Sequence, residues 1–238
     1  RFGPRGVVAV LIPQQNSNRQ PEYEAMRPEG INNQMYRFSL ARHDKTPDAV
    51  LGAVPDTRLC WPDVIIGGNS MEMHPWSHQL QDEYRAAFQE RAEGVKTVLA
   101  TDATLAALKT IGAKRFGVLS PMSVENSKHA QAYYEGHGFE VPYTTSLMVK
   151  RSEDIIKVTV EQAIEAFEEI NKPDVDTLVH VGGALGIVSM IEELEERFQK
   201  PIISVNAATY WYALRQIGVN DPMPGFGKLL MNENVASN

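Results

Sequence analysis

One cysteine among 238 residues, Cys60, excludes an intramolecular disulfide and any metal site built from thiolates. Among the six histidines His74 and His78 lie four apart but have no third ligand beside them, so no metal is expected. Long apolar runs are missing as well, and nothing approaches the ~18 consecutive apolar residues that a membrane span requires. Positive charge is scarce, with 23 Lys and Arg against 30 Asp and Glu and a formal charge of -7, so the clustered cations of a nucleic-acid surface are lacking. The leading residues, Arg1 to Gly6, do not form an apolar secretory core, and a cytoplasmic location is expected.

What the chain does contain is a repeat. Asp63-Val64-Ile65-Ile66-Gly67-Gly68-Asn69-Ser70 returns as Asp176-Thr177-Leu178-Val179-His180-Val181-Gly182-Gly183, each copy an acid, a short apolar strand and a break into small residues. Lys96-Thr97-Val98-Leu99-Ala100 returns as Lys200-Pro201-Ile202-Ile203-Ser204, and Val10-Leu11-Ile12-Pro13 as Val118-Leu119-Ser120-Pro121. Matching segments in matching order mean two copies of one unit.

Within each copy, short β-branched strands alternate with helical stretches, which implies parallel sheets with helices on both faces. Strands are expected over 7–12, 34–40, 64–66, 97–100, 116–119, 139–143, 177–181 and 201–205. Helices are expected over 21–26, 46–60 with a break at Pro55, 79–92, 102–111, 124–137, 152–170, 185–198 and 207–217. The fold class is therefore α/β, with two pseudo-symmetric Rossmann-like halves, residues 1–112 and 113–218, and a tail, 219–238, returning across the first half. Open α/β sheets bind ligands at strand carboxyl ends, so the site is expected in the cleft between the halves.

Gly182-Gly183-Ala184-Leu185-Gly186 lacks both the Walker lysine and the full GxGxxG pattern, so it is a poor nucleotide site. Its small residues suit exposed backbone N–H groups facing a carboxylate or developing oxyanion. Asn16, Asn69, Ser70, Ser120 and Asn206 follow strand ends and are candidate carboxylate donors, together with Gly182 and Gly183. Glu72, His74 and His180 are the candidate acid–base groups, although strand alternation can turn His180 away from the cleft.

Five segments resemble the aspartate/glutamate racemase superfamily, in its maleate cis-trans isomerase and arylmalonate decarboxylase branch. They are Pro13-Gln14-Gln15-Asn16-Ser17 with Pro21-Glu22-Tyr23, Gly67-Gly68-Asn69-Ser70, Ser120-Pro121-Met122, Val181-Gly182-Gly183 and Pro224-Gly225-Phe226-Gly227-Lys228-Leu229. The resemblance implies a cofactor-free enzyme acting on a small carboxylic acid. The family uses two facing cysteines, which would fall at Gly68 and Val181 in this chain, and the decarboxylases keep only the second. Met122 stands where the family offers a tyrosine hydroxyl.

With both thiols missing, the leading expectation is an arylmalonate-decarboxylase-like lyase. The alternatives are a maleate-type isomerase, a lyase or hydrolase in which Glu72 or His74 activates water, and a carboxylate-binding protein without catalysis. No cofactor, nucleic acid or membrane partner is expected, and a homo-oligomer is left open.

Overall fold

The computed structural model describes residues 2–39, 46–68 and 70–236. The first half runs β1 (Gly6–Pro13), α1 (Arg19–Met26), β2 (Ile31–Phe38), α2 (Thr46–Thr57), β3 (Val64–Gly67), α3 (His78–Ala92), β4 (Lys96–Leu99) and α4 (Ala100–Thr110). The second runs β5 (Arg115–Ser120), α5 (Val124–Gly136), β6 (Glu140–Ser146), α6 (Val160–Ile170), β7 (Thr177–His180), α7 (Ile191–Phe198), β8 (Ile202–Ser204) and α8 (Val205–Gln216). The strands form two parallel sheets of the same order, β2-β1-β3-β4 and β6-β5-β7-β8.

The acid that opens each repeat has a structural reason. Asp63 Oδ2 accepts from Val7 N at 2.8 Å, and Asp176 Oδ2 accepts from the backbone N–H groups of Lys114 and Arg115 at 3.0 Å. Each carboxylate satisfies donors at the start of the neighbouring central strand, which would otherwise lack partners. Both acids thereby help set the register of the two innermost strands of their sheet.

Side chains alternate across β1, and both faces are buried. Ala9 and Leu11 pack with Val50, Val54 and Phe88 on the outer face, whereas Val8, Val10 and Ile12 join a core cluster that also holds Phe116, Val118, Trp211 and Leu214 of the second half. Helix α8 packs on α4 and on β3 and β4, while α4 reaches β8. The halves therefore share one core instead of meeting through a polar seam.

In each sheet the strand order, not the strand direction, reverses between the two inner strands. The loops after β1 and β3, and those after β5 and β7, consequently emerge side by side at the carboxyl ends, where such sheets bind ligands.

Several boundaries differ from expectation. Pro55 does not break α2, because it lies in the final turn, where only one backbone hydrogen bond is forfeited. Strand β2 begins at Ile31 rather than Gln34, pairing with β1 from Gly6↔Ile31 to Pro13↔Phe38; this tertiary pairing overrides the weak strand preference of Asn32 and Asn33. Residues 185–198 are helical by the α-pattern only from Ile191, and 152–170 divides into a 3-10 turn, Ser152–Lys157, and α6. The tail packs on α8, where Asn232 O accepts from Trp211 Nε1 and Arg215 Nη2, and touches the first half where Ala236 N donates to Thr110 Oγ1.

Candidate active site

Asn16 starts the site by starting a helix. Its Oδ1 accepts from the N–H groups of Asn18, at 3.2 Å, and Arg19, at 3.0 Å, so α1 begins two residues earlier than the sequence suggested. Its Nδ2 donates to Gly183 O at 2.9 Å, joining the loop after β1 to the loop after β7.

The first helical residue, Arg19, is 3% exposed, and its side chain enters the cleft. Nη2 donates to Gly68 O at 2.9 Å and Nε to Asn206 Oδ1 at 3.1 Å. The guanidinium fills the space that side chains at the two strand ends would occupy. A Cβ at Gly68 would lie 1.8 Å from Arg19 Nη1, and one at Gly183 would lie 2.0 Å from Nη2. Glycine at both positions is thus a condition for the cation being there. Gly68→Ala is expected to expel the guanidinium and weaken carboxylate binding about tenfold or more, the loss of one charged contact of ~1.4 kcal/mol or greater, measurable by calorimetry.

Arg19, Glu72, Ser70, Gly68, Asn16, Gly182 and Gly183 line one cavity of about 350 Å³ between the strand ends. Leu11, Phe38, Val50, Met71, Met122 and Ile155 supply an apolar wall, and Gln15 Nε2 reaches Ser152 Oγ at 3.5 Å, linking loops of the two halves. Glu72 is open to the cavity yet crowded by its walls, and this crowding pushes its carboxyl above the usual glutamate value. The field of Arg19 and a hydrogen bond with Thr46 oppose the shift.

Among the described residues, no carboxylate lies in ion-pair contact with Arg19. Glu72 and Glu22 feel the field of this buried cation, but neither is in ion-pair contact with it among the described residues.

The structure does not bring every candidate into this cavity. Asn206 lies behind it, fully engaged: Oδ1 accepts from Arg19, and Nδ2 donates to Gly183 O at 3.0 Å and to Glu22 Oε2 at 2.6 Å. Ser120 is buried beneath Met122, whose N–H it accepts at 3.5 Å, and does not line the cavity. Val181 is fully buried and donates its N–H to Leu119 O at 2.9 Å; it too is outside the lining, so Gly68 and Val181 do not face each other in it. Asn69 lies outside the described residues.

The two histidines are also elsewhere. His180 is fully buried, with Nδ1 3.4 Å from Ser204 Oγ and Nε2 3.2 Å from Gly182 O, and burial pushes it down to about 4. His74 packs at a tilt against Tyr133 and Tyr134, with ring centroids 4.9 and 5.7 Å away, and neither ring nitrogen has a hydrogen-bond partner among the described residues. Burial, aided by His129, pushes it down to about 3.

A base whose folded value lies below its unfolded one contributes stability above about pH 6.5, and loses it as the unfolded chain takes up the proton on acidification. His74→Phe, which keeps the ring and removes the titration, is therefore expected to flatten the fall in stability between about pH 6.5 and 4. Denaturant midpoints across that range check it.

Sequence reasoning missed Arg19 and Glu22. A signal existed: a cation in the first turn of a helix opposes the helix dipole, so Arg19 is held there by something other than local preference. Cys60, by contrast, precedes β3 at the opposite end of the sheet, with Sγ 3.2 Å from Thr57 O, far in the chain's layout from the cavity loops.

The two parallel sheets thus hold between them, at their strand carboxyl ends, a cavity that carries Arg19 and Glu72 on one side and an apolar wall on the other. The family model described as arylmalonate decarboxylase matches residues 68–230. Maleate isomerase of Nocardia farcinica (strain IFM 10152) is 25% identical over 218 residues, covering 88% of this chain and 81% of that protein. Among solved structures, a mutant of the Nocardia farcinica maleate cis-trans isomerase with a covalently bound succinylcysteine intermediate superposes with a TM-score of 0.84, at 19% identity over 94% of this chain and 98% of the other. A crystal structure of arylmalonate decarboxylase gives 0.77, at 17% identity over 95% and 99%. The chain belongs to the arylmalonate decarboxylase family, whose members are enzymes of the lyase and isomerase kind, and the fold expected from the repeat is the fold of those relatives.

Proposed function

We propose that this chain is a cysteine-independent lyase that decarboxylates a small malonate-type acid with an apolar substituent, using Arg19 as the carboxylate anchor and Glu72 as the proton donor. What carries this reading is one juxtaposition: an arginine with no carboxylate partner among the described residues and a carboxyl of raised pKa, both lining one apolar-walled cavity that contains no cysteine. The single cysteine, Cys60, is not in the cavity lining, which supports a reading without the covalent cysteine of the Nocardia relative.

In the proposed step, one substrate carboxylate pairs with the Arg19 guanidinium. The other lies against Met71, Met122 and Ile155, where poor hydration favours its departure as neutral CO2. The electron pair of the broken C–C bond passes into an enediolate on the anchored carboxylate, whose growing charge Arg19 stabilises. Protonated Glu72 then delivers its proton to the α carbon, and solvent reprotonates it through the cavity mouth. No metal or organic cofactor has a role in this sequence.

Incubating the pure protein with phenylmalonate, maleate and aspartate tests the assignment. Release of CO2 from the malonate is expected. Conversion of maleate to fumarate, hydration of either acid or racemisation of aspartate, with the malonate untouched, would replace it by another reaction of the family or by a water-activating Glu72.

A further inference from the structure

Behind the cavity a second carboxylate is built into the fold. Glu22 lies one turn after Arg19 on α1, and both of its oxygens reach into the second half: Oε1 accepts from Val188 N at 2.8 Å and Oε2 from Asn206 Nδ2 at 2.6 Å. The cavity lining does not include it, and the catalytic sequence above does not use it.

Asn206 can satisfy this surrounding in only one orientation. Its amide nitrogen faces two accepting oxygens, Gly183 O and Oε2 of Glu22, whose carboxyl burial pushes up to about 7 against its hydrogen bonds and the field of Arg19, while its oxygen faces Arg19 Nε, which only donates. Turning the amide over would set donor against donor at Arg19 and acceptor against acceptor at two further places. Gly183 O, which also accepts from Asn16 Nδ2, takes one proton of the Asn206 amide, and Glu22 Oε2 takes the other.

We propose that Glu22 is a positioning residue: by holding Asn206 with Oδ1 turned toward Arg19 Nε, it aims the guanidinium at the cavity. The inference rests on the reading of Arg19 as the carboxylate anchor. The chain of contacts runs from Val188 through Glu22 and Asn206 to Arg19, so the aim of a first-half cation is set by the second half. Any relative shift of the two halves would act on carboxylate affinity through this chain.

The test is a double-mutant cycle on the full chain. Phenylacetate, the monoacid that decarboxylation of phenylmalonate would leave, is titrated calorimetrically against wild type, Glu22→Gln, Arg19→Met and the double variant. In parallel, the Arg19 Nε–H resonance is followed by 15N NMR without ligand, assigned by its absence in Arg19→Met.

Glutamine offers one acceptor where two are needed, so Glu22→Gln is expected to move the Arg19 Nε–H resonance and to weaken phenylacetate about tenfold, with no further loss in the Arg19→Met background. An equal loss in both backgrounds would mean that Glu22 acts on the fold generally and would overturn the proposal, as would an unmoved Arg19 resonance. If wild type binds no phenylacetate at all, the anchor reading fails while the resonance still decides whether Glu22 sets Arg19.

Discussion

Arg19→Met is expected to lower kcat/KM for the decarboxylated acid by about 100-fold or more, the effect of removing ~3 kcal/mol or more of charge-assisted contact from a desolvated site. The fold should survive. Methionine fills the guanidinium's space, and although Gly68 O and Asn206 Oδ1 lose a donor, at roughly 1–3 kcal/mol each, the chain no longer buries a cation without an ion-pair partner among the described residues. These terms oppose one another, so the melting temperature should move little while activity collapses. Arg19→Lys separates charge from geometry. Lysine keeps the charge but cannot hold Gly68 O and Asn206 together through one planar fork, and it should recover only part of the loss. Steady-state kinetics alongside thermal melts on the three proteins check the split.

Glu72→Gln is expected to lower kcat by ~100-fold or more with KM nearly unchanged, because in the proposed step the group transfers a proton to the reacting carbon and does not hold the substrate. The pH profile carries the sign of its role. Crowding by the cavity walls raises the Glu72 carboxyl, so the protonated donor persists to higher pH than in a glutamate free in water, and kcat should fall as pH rises through that raised value. The glutamine variant should lack this limb. Stability follows the same direction: a carboxyl raised on folding contributes below its unfolded value of about 4.3 and loses that contribution as pH rises through the folded one. Glu72→Gln should therefore stabilise the protein more at alkaline than at acid pH. A full-strength rate, or an unchanged alkaline limb, would remove Glu72 from the chemistry.

The fold was legible because it is written twice. Copies of strand, small-residue break and helix, each opened by an aspartate, imply two parallel sheets of like order, and the acids cap strands in both halves. Strand-end position also led to the cavity, since Gly68, Ser70, Glu72, Gly182 and Gly183 all line it. What could not be read was which side chains from outside the repeat would enter. Arg19 falls ahead of the helix expected over 21–26, and its role depends on two glycines far away in sequence leaving room for it. His74 and His180 looked reactive by residue type, but their burial without charged partners makes them neutral core rings, a fact of packing that spacing along the chain does not carry. Asn16 and Asn206 stand near the site as foreseen, yet they spend their amides on α1, Gly183, Glu22 and Arg19.

The family's solved relatives include one with a cysteine-bound intermediate, and the distinguishing claim for this chain is that it handles a carboxylic acid without any thiol. The most direct measurement is phenylmalonate turnover by the Cys60→Ser variant in deuterated water, followed by CO2 release and by mass spectrometry of the monoacid. An arginine anchor and a glutamic acid donor predict wild-type rates and one deuterium at the α carbon. Loss of turnover in this variant, or no CO2 from phenylmalonate with the wild-type protein, would contradict the account.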